Sequence, residues 1–228
     1  LKAGSAFCCY DADDLAAFVM RKLMSFSDIS YNDIDEIILG NVAQPSKAAN
    51  VSRVAALKAG FDNDVPAYSV QRNCASGMEA VSTCINKLLV DKADAMLAGG
   101  TESMSNIPFL FSPSMKRFFE KFMKTKTVLD RLAVLKSFKF RFLKPTIGLL
   151  DGLTDPIYGQ IMGITAENLS KEFQISRSDQ DYYALHSHHK AIKAQNEKFF
   201  DDEIIGIPVN HKDLVYIDKD NGPRPDQE

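Results

Sequence analysis

Tryptophan is absent from this chain, and cysteine and histidine occur only four times each in 228 residues. Cys8, Cys9, Cys74 and Cys84 show neither zinc-site spacing nor the density of a disulfide scaffold. So few thiols, two of them adjacent, fit a reducing intracellular compartment, the cytoplasm or the mitochondrial matrix. His186, His188 and His189 lie close together without the His-Glu-x-x-His spacing of a zinc-binding helix, and they read as solvated helix residues. No apolar run approaches the ~20 residues that span a bilayer. No signal-peptide pattern opens the sequence. The hydrophobic fraction is 45%, so the chain reads as soluble and globular, with enough length to bury a real core.

No large excess of either charge is present, with 27 Lys or Arg against 30 Asp or Glu and a net charge of −3. Their distribution is uneven. Residues 111–144 hold ten Lys or Arg against Glu120 and Asp130, a local net of +8 that leaves −11 for the rest. Such a local patch suits an anionic ligand or surface and argues against general nucleic-acid binding.

Apolar spacing organises the first hundred residues into helices alternating with short strands. Residues 11–24 predict a helix with Leu15, Phe18, Val19 and Leu23 on one side. Residues 34–42 predict an apolar strand. Residues 50–59 predict a helix stopped by Gly60. Strands follow at 67–73 and 95–98, the second ending at a Gly99-Gly100 turn that would permit positive φ. This alternation predicts a layered α/β core with a parallel sheet and helices on both faces. From about residue 106 the style changes to a mostly helical region. Residues 111–144 predict two amphipathic helices, one with Met115, Phe118, Phe119 and Phe122, the other with Val128, Leu132 and Leu135. Helices are expected at 163–173 and, behind a capping-box-like Ser176-Arg177-Ser178-Asp179, at 176–199. Strand and turn follow from Asp201. The division is therefore 1–105 and 106–228.

The stretch Asn73-Cys74-Ala75-Ser76-Gly77-Met78 places a cysteine where a strand ends and a helix begins. The helix pattern is Met78, Val81, Ile85 and Leu88. A thiol there faces unpaired N–H groups and the positive end of the helix dipole, which favour the nucleophilic thiolate. Ala75, Ser76 and Gly77 are small and would let a bulky substrate approach. The alternative is a buried cysteine acting as a small hydrophobe.

The wording around Cys74 resembles the nucleophile motif of thiolases, the acyl-CoA:acetyl-CoA acyltransferases. Three further stretches resemble the family in its order: Gly40-Asn41-Val42, then Ala98-Gly99-Gly100-Thr101-Glu102-Ser103-Met104-Ser105, then Met162-Gly163-Ile164-Thr165-Ala166-Glu167-Asn168. The resemblance implies a partial first core half at 1–105 and, at 106–228, a loop domain covering the coenzyme A site. Within that loop domain, 111–144 resembles the insert of thiolases acting on longer acyl chains. It implies Cys74 as the acylated residue. Met162 and Met104 would lie near the acyl or coenzyme A path, or serve only as core methionines. Ile161 stands where many short-chain biosynthetic thiolases have His. Arg53 and Arg72 read as surface or interface charges. No cofactor is implied beyond coenzyme A and acyl-CoA as substrates. The implied assembly is a homodimer or tetramer. The basic amphipathic pattern of 111–144 itself suits either an anionic membrane surface or phenylalanines packed on the loop domain or a partner subunit.

The reaction implied is thiolytic cleavage of a 3-ketoacyl-CoA, or the reverse condensation. It needs a nucleophile, an acid/base for the carbon centre and oxyanion donors. The family's first strand would precede Leu1. Its Asn-Glu-Ala-Phe loop, Gly-His-Pro histidine and Cys-x-Gly-Gly-Gly cysteine match no string in this sequence. The expectation is thus a partial thiolase chain, inactive alone. Two readings stand beside it: a half-length, non-catalytic relic serving as a binding or assembly module, and a ketoacyl synthase, which also places a cysteine at a helix start.

Overall fold

The computed structural model describes residues 4–209 and 215–227. Part of the expected strand-and-turn tail, residues 210–214, lies outside the described residues. Two compact units are present, Leu1–Asn106 with Gln180–Glu228, and Ile107–Asp179. The boundary near 106 is where the composition changes. The sequence division grouped all of 106–228, whereas contacts group residues 180–228 with the first unit.

Strand β1 (Glu36–Gly40) is the centre of the first unit. It pairs in parallel with β2 (Ala67–Val70) on one side and β3 (Met96–Gly100) on the other, in the order β2-β1-β3. A strand flanked on both edges and covered on both faces is apolar without a break. Here that is Ile37-Ile38-Leu39, all buried. Strand alternation then sorts the layers. Ile37 and Leu39 pack with α1 (Ala12–Phe26) and α2 (Val51–Ala59). Ile38 points the other way, onto Ala80 and Cys84 of α3 (Ser76–Leu89). The expected layered α/β arrangement is therefore present, with helices on both faces of a parallel sheet.

Local signals account for the helix ends. The Asn50 side chain accepts the Arg53 N–H at 3.1 Å and caps α2 at its start. Gly60 closes it at φ 103°, left-handed backbone that glycine adopts without strain.

The buried faces of α1 and α3 differ from those expected. Val19 and Leu23 of α1 are exposed, Leu15 and Phe18 half-buried, and the buried face is Ala12, Ala16, Ala17, Met20 and Met24. In α3, Met78, Val81, Ile85 and Leu88 are all exposed, and Ser76, Ala80 and Cys84 are buried. The period was right and the side was not. Small residues let a helix backbone lie close to its neighbour, so alanines of α1 meet Ala55, Ala56 and Ala59 of α2 in the core.

The second unit contains α4 (Pro113–Lys124), α5 (Val128–Lys136), α6 (Gly148–Gly152) and α7 (Met162–Glu172). A short antiparallel pair, β4 (Phe109–Leu110) with β5 (Thr146–Ile147), brackets the stretch that holds α4 and α5. Phe118 of α4 is the hub of a ring cluster, with centroids 5.4 Å from Phe138, 6.3 Å from Phe142 and 6.4 Å from Phe122. Of the two expectations for Phe118 and Phe122, a membrane-facing surface or packing on the loop domain or a partner, packing within the unit is observed: both are half-buried because these rings pack on one another. The long helix α8 (Arg177–Asn196) follows, begun by Ser176, whose hydroxyl accepts the Asp179 N–H at 3.1 Å. The pair β6 (Ile207–Pro208) and β7 (Tyr216–Ile217) comes last. No helix among the described residues is long and apolar enough to cross a membrane.

Candidate active site

The C-terminal ends of β1, β2 and β3 lie together, which is where open α/β sheets bind ligands. Gly40 and Gly100 sit opposite each other in the register. The start of α3 rests directly on them. A Cβ built on Gly40 would lie 2.2 Å from the Ser76 carbonyl carbon and 2.5 Å from the Gly77 nitrogen. One on Gly100 would lie 3.2 Å from the Gly77 Cα. The two glycines thus form a floor without side chains. Gly99 and Gly100 were expected to form a turn with positive φ. They continue β3 instead, and neither has left-handed backbone. Close approach of the helix, not turn geometry, is what excludes a side chain at Gly100.

The chain leaves β2 and reaches α3 through a tight turn at 71–75. Asn73 adopts φ 45°, left-handed backbone that asparagine tolerates better than most residues. Ser76 braces this turn. Its buried hydroxyl accepts the Arg72 N–H at 2.8 Å and donates to the Asn73 carbonyl at 2.6 Å. The Arg72 guanidinium pairs with Glu79 one turn into the helix at 2.6 Å. Cys74 stands on this braced turn, exposed, directly before the Ala75 N-cap. The alternative of a buried structural cysteine describes Cys84 instead. It lies in the core on α3, and burial pushes its thiol pKa up, aided by the nearby Glu36 charge and opposed by Lys87.

A second brace links the ends of β1 and β3. The Glu102 carboxylate accepts the Val42 N–H at 2.9 Å, the Ala43 N–H at 3.2 Å and the Asn41 side-chain amide at 3.1 Å. The same amide donates to the Thr101 carbonyl at 2.8 Å. Asn41 is buried, and its Oδ1 has no hydrogen-bond partner in the structure. The sequence reading gave Ser76 only a role as a small residue clearing space beside the thiol, and gave Glu102 none, although both lie inside its motifs.

The remaining candidates occupy distinct places. Met104 opens a single 3-10 turn, Met104–Asn106, in the first unit and is exposed. Asn106 and Ser103 from that turn donate to the Tyr10 carbonyl and tie it to the loop before α1. Ile161 and Met162 are in the second unit, as the N-cap and first residue of α7, both exposed. Arg53 is structural: its guanidinium donates to the Val65 and Asn63 carbonyls. Among the described residues no cluster of His, Cys, Asp and Glu could hold a metal ion.

Chemically, the arrangement presents an accessible thiol on a braced turn directly before a helix whose start packs on two glycines. Such a site suits covalent attack on a bulky electrophile.

Comparison with known proteins identifies the family and fold. Residues 2–228 match the family described as thiolase, N-terminal domain. The probable acetyl-CoA acyltransferase of Staphylococcus aureus (strain N315) is 35% identical over 223 residues, 97% of this chain and 52% of that protein. The mitochondrial trifunctional enzyme subunit beta of Rattus norvegicus is 38% identical over 212 residues, 93% of this chain and 43% of that protein. The crystal structure of the Bacillus anthracis acetyl-CoA acetyltransferase superposes with a TM-score of 0.84 at 30% identity, covering 99% of this chain and 52% of that one. The chain spans about half the length of the relatives it matches. With its family match running almost end to end and its fold shared with a solved member, this chain belongs to the thiolase family.

Proposed function

We propose that this chain supplies the nucleophilic part of an acyl-CoA:acetyl-CoA acyltransferase, working through a thioester on Cys74. The observation that carries this reading is the exposed Cys74 thiol on the turn braced by Ser76, directly before α3. In the thiolytic direction the Cys74 thiolate adds to the keto carbon of a 3-ketoacyl-CoA. The bond between that carbon and its neighbour on the coenzyme A side breaks. Its electron pair stays on the departing acetyl-CoA, which takes a proton from an acid. The shortened acyl group remains as a thioester on Cys74. The coenzyme A thiol then attacks it, releasing acyl-CoA and returning a proton to the cysteine. Condensation is the same sequence reversed.

Accessible side chains at the start of α7, Ile161 and Met162, and Met104 beside the first-unit loops, are proposed to line the acyl or coenzyme A path. Coenzyme A and its thioesters enter as substrates, and no resident cofactor is required by these steps. A free Cys74 thiol requires a reducing compartment, the cytoplasm or the mitochondrial matrix. The exposed apolar face of α3 favours assembly of copies into a dimer or tetramer, which light scattering would measure. The carbon acid/base is a separate requirement. Cys84 does not meet it, being buried with its pKa raised. The Gly-His-Pro histidine and Cys-x-Gly-Gly-Gly cysteine that the resemblance calls for match no string in these 228 residues, so alone they are expected to cleave no 3-ketoacyl-CoA, and turnover abolished by Cys74→Ala would overturn this expectation.

The test of the main reading is acyl trapping. The native polypeptide is incubated with a 3-ketoacyl-CoA without added coenzyme A, and its peptides are weighed. The expected result is an acyl mass on the Cys74 peptide, lost in Cys74→Ala. Acylation elsewhere would overturn the assignment. A native polypeptide that is never acylated would favour a non-catalytic relic.

A further inference from the structure

The turn before α1 carries Cys8 and Cys9 side by side, and the acyl-transfer reading uses neither. Both thiols are exposed. The backbone there is tightly folded. The Cys8 N–H donates to the Ser5 carbonyl at 3.1 Å, and the Tyr10 N–H to the Phe7 carbonyl at 3.1 Å. The next residue, Tyr10, is fully buried, with its ring centroid 6.2 Å from that of Phe7 and 5.3 Å from that of Phe18. The base of the turn is thus anchored in the core while its two sulfurs stay at the surface.

This turn joins two segments that are distant in sequence. On one side the Gly4 N–H donates to the Ser105 hydroxyl at 2.8 Å, and the Tyr10 carbonyl accepts from Ser103 and Asn106. On the other, the Cys9 thiol donates to the Val209 carbonyl at 3.2 Å. Val209 in turn donates its N–H to the Val215 carbonyl at 2.9 Å, beside the β6–β7 pair. The contact with Val209 differs in kind from the others. It depends on a hydrogen that only reduced sulfur carries.

Adjacent cysteines have a particular redox chemistry. Consecutive Cα atoms lie about 3.8 Å apart across a trans peptide. Ordinary disulfides hold their Cα atoms ~4.4–6.8 Å apart. A disulfide between neighbours is therefore strained, and strained or exposed disulfides are the readily reduced, regulatory ones. Under reducing conditions such a pair rests as two thiols and closes only when the poise turns oxidising.

We propose that Cys8 and Cys9 form a reversible thiol–disulfide switch that, on oxidation, releases the turn from Val209. The oxidant is a low-molecular-weight disulfide of the glutathione class. The Cys8 thiolate, outside the Val209 contact, attacks one sulfur of that disulfide. The S–S bond of the oxidant breaks, and one glutathione leaves as a thiolate and takes up a proton. The Cys9 sulfur then gives up its proton and attacks the Cys8 sulfur of the mixed disulfide, and the second glutathione departs. Two electrons and two protons pass from the pair to the oxidant, which becomes two thiols. Cys9 then has no hydrogen to donate, and the tie to Val209 is lost. Cys74 takes no part, so this inference stands or falls separately from the acyl-transfer reading.

The test is equilibration of the full chain in glutathione buffers ranging from reduced to oxidised, with acid quenching, alkylation of the remaining thiols and peptide masses. The expected result is a Cys8-Cys9 peptide lighter by two hydrogens, formed only in the oxidised buffers and reversed by dithiothreitol. Cys9→Ser should instead retain one glutathione on Cys8, because the resolving thiol is gone. Amide hydrogen exchange in peptides covering 207–209 and 215–217 should quicken about threefold or more on oxidation, as the loss of one hydrogen bond predicts. Peptides from α3 should not change, and in Cys9→Ser exchange at 207–209 should not respond to closure. A native pair that keeps glutathione without closing, or stays as two thiols in the oxidised buffers, would overturn the proposal. So would a disulfide that survives excess reduced glutathione, or closure that leaves exchange at 207–209 and 215–217 unaltered.

Discussion

Gly40→Ala is the most demanding test of the site geometry. The substitution adds one methyl group. That methyl would sit 2.2 Å from the Ser76 carbonyl carbon, 2.3 Å from its oxygen and 2.5 Å from the Gly77 nitrogen. All three obstructing atoms are backbone, so no side chain can swing aside. Relief requires α3 to move away from β1 by about 1 Å, and that helix is held by Ile38, Ala80 and Cys84 in the core. Overpacking of this kind costs about 1–3 kcal/mol in cores that adjust through side chains, so about 3 kcal/mol or more is expected here. For a chain of this size each kcal/mol lowers the melting temperature by roughly 2–4 °C. The expected drop is therefore about 6–12 °C, read by circular dichroism. Gly100→Ala should cost less, because its methyl would meet the Gly77 Cα at 3.2 Å and needs only a few tenths of an ångström. Gly163→Ala is the control. It lies within α7 with nothing within 4 Å of its added methyl, and should stabilise by about 0.4–1 kcal/mol. A Gly40→Ala protein melting within a degree or two of the parent would refute the close approach of α3 to the end of β1.

Three further outcomes follow from the same structure. Iodoacetamide at neutral pH should label Cys74 well before Cys84, because Cys84 is buried and its thiol pKa is raised; peptide masses showing equal rates would contradict the placement. Ser76→Ala removes a hydroxyl that both accepts and donates inside the turn, leaving the Arg72 N–H without its acceptor, and should cost about 1–3 kcal/mol in urea unfolding. Asp35 accepts the Asp94 N–H at 2.7 Å and the Ala95 N–H at 3.0 Å, the Ala95 bond being the larger cause of its lowered pKa. The sign is that of a depressed carboxylate, with stabilisation present above the ordinary value near 3.9 and lost as pH falls through the depressed one. Asp35→Asn should flatten the acid side of the stability curve, and a melting series from neutral to acid pH that leaves both proteins with the same slope would count against the link.

Some of this molecule was readable before any coordinates. Asn50 before an apolar period and Gly60 after it define α2, because capping and left-handed termination are local and need no distant partner. The unbroken Ile37-Ile38-Leu39 run identifies a strand buried on both faces. The words around Cys74 identify the family and the turn that carries the thiol. Other features depend on what each segment meets. Periodicity shows that α1 and α3 each have an apolar stripe, but bulk alone points to Val19, Leu23, Met78 and Ile85, and these are exposed. The helices lie instead on alanine, serine and cysteine, because a close backbone approach leaves no room for larger side chains. The same holds for Gly40 and Gly100, whereas a Cβ on Gly99 would meet the Leu39 side chain at 3.2 Å. Read locally, a glycine pair predicts a turn, and only the packing of α3 against the strand ends shows that its purpose is clearance. Ser76 and Glu102 acquire their bracing roles from partners at short and long range, namely Arg72 and Asn73 for one and Asn41, Val42 and Ala43 for the other. In residues 111–144 the sequence determined the charge and the amphipathic pattern. Tertiary packing decided which aromatics the unit keeps for itself and which apolar groups remain outside, because ring contacts between residues twenty apart in sequence cannot be read from spacing within one helix.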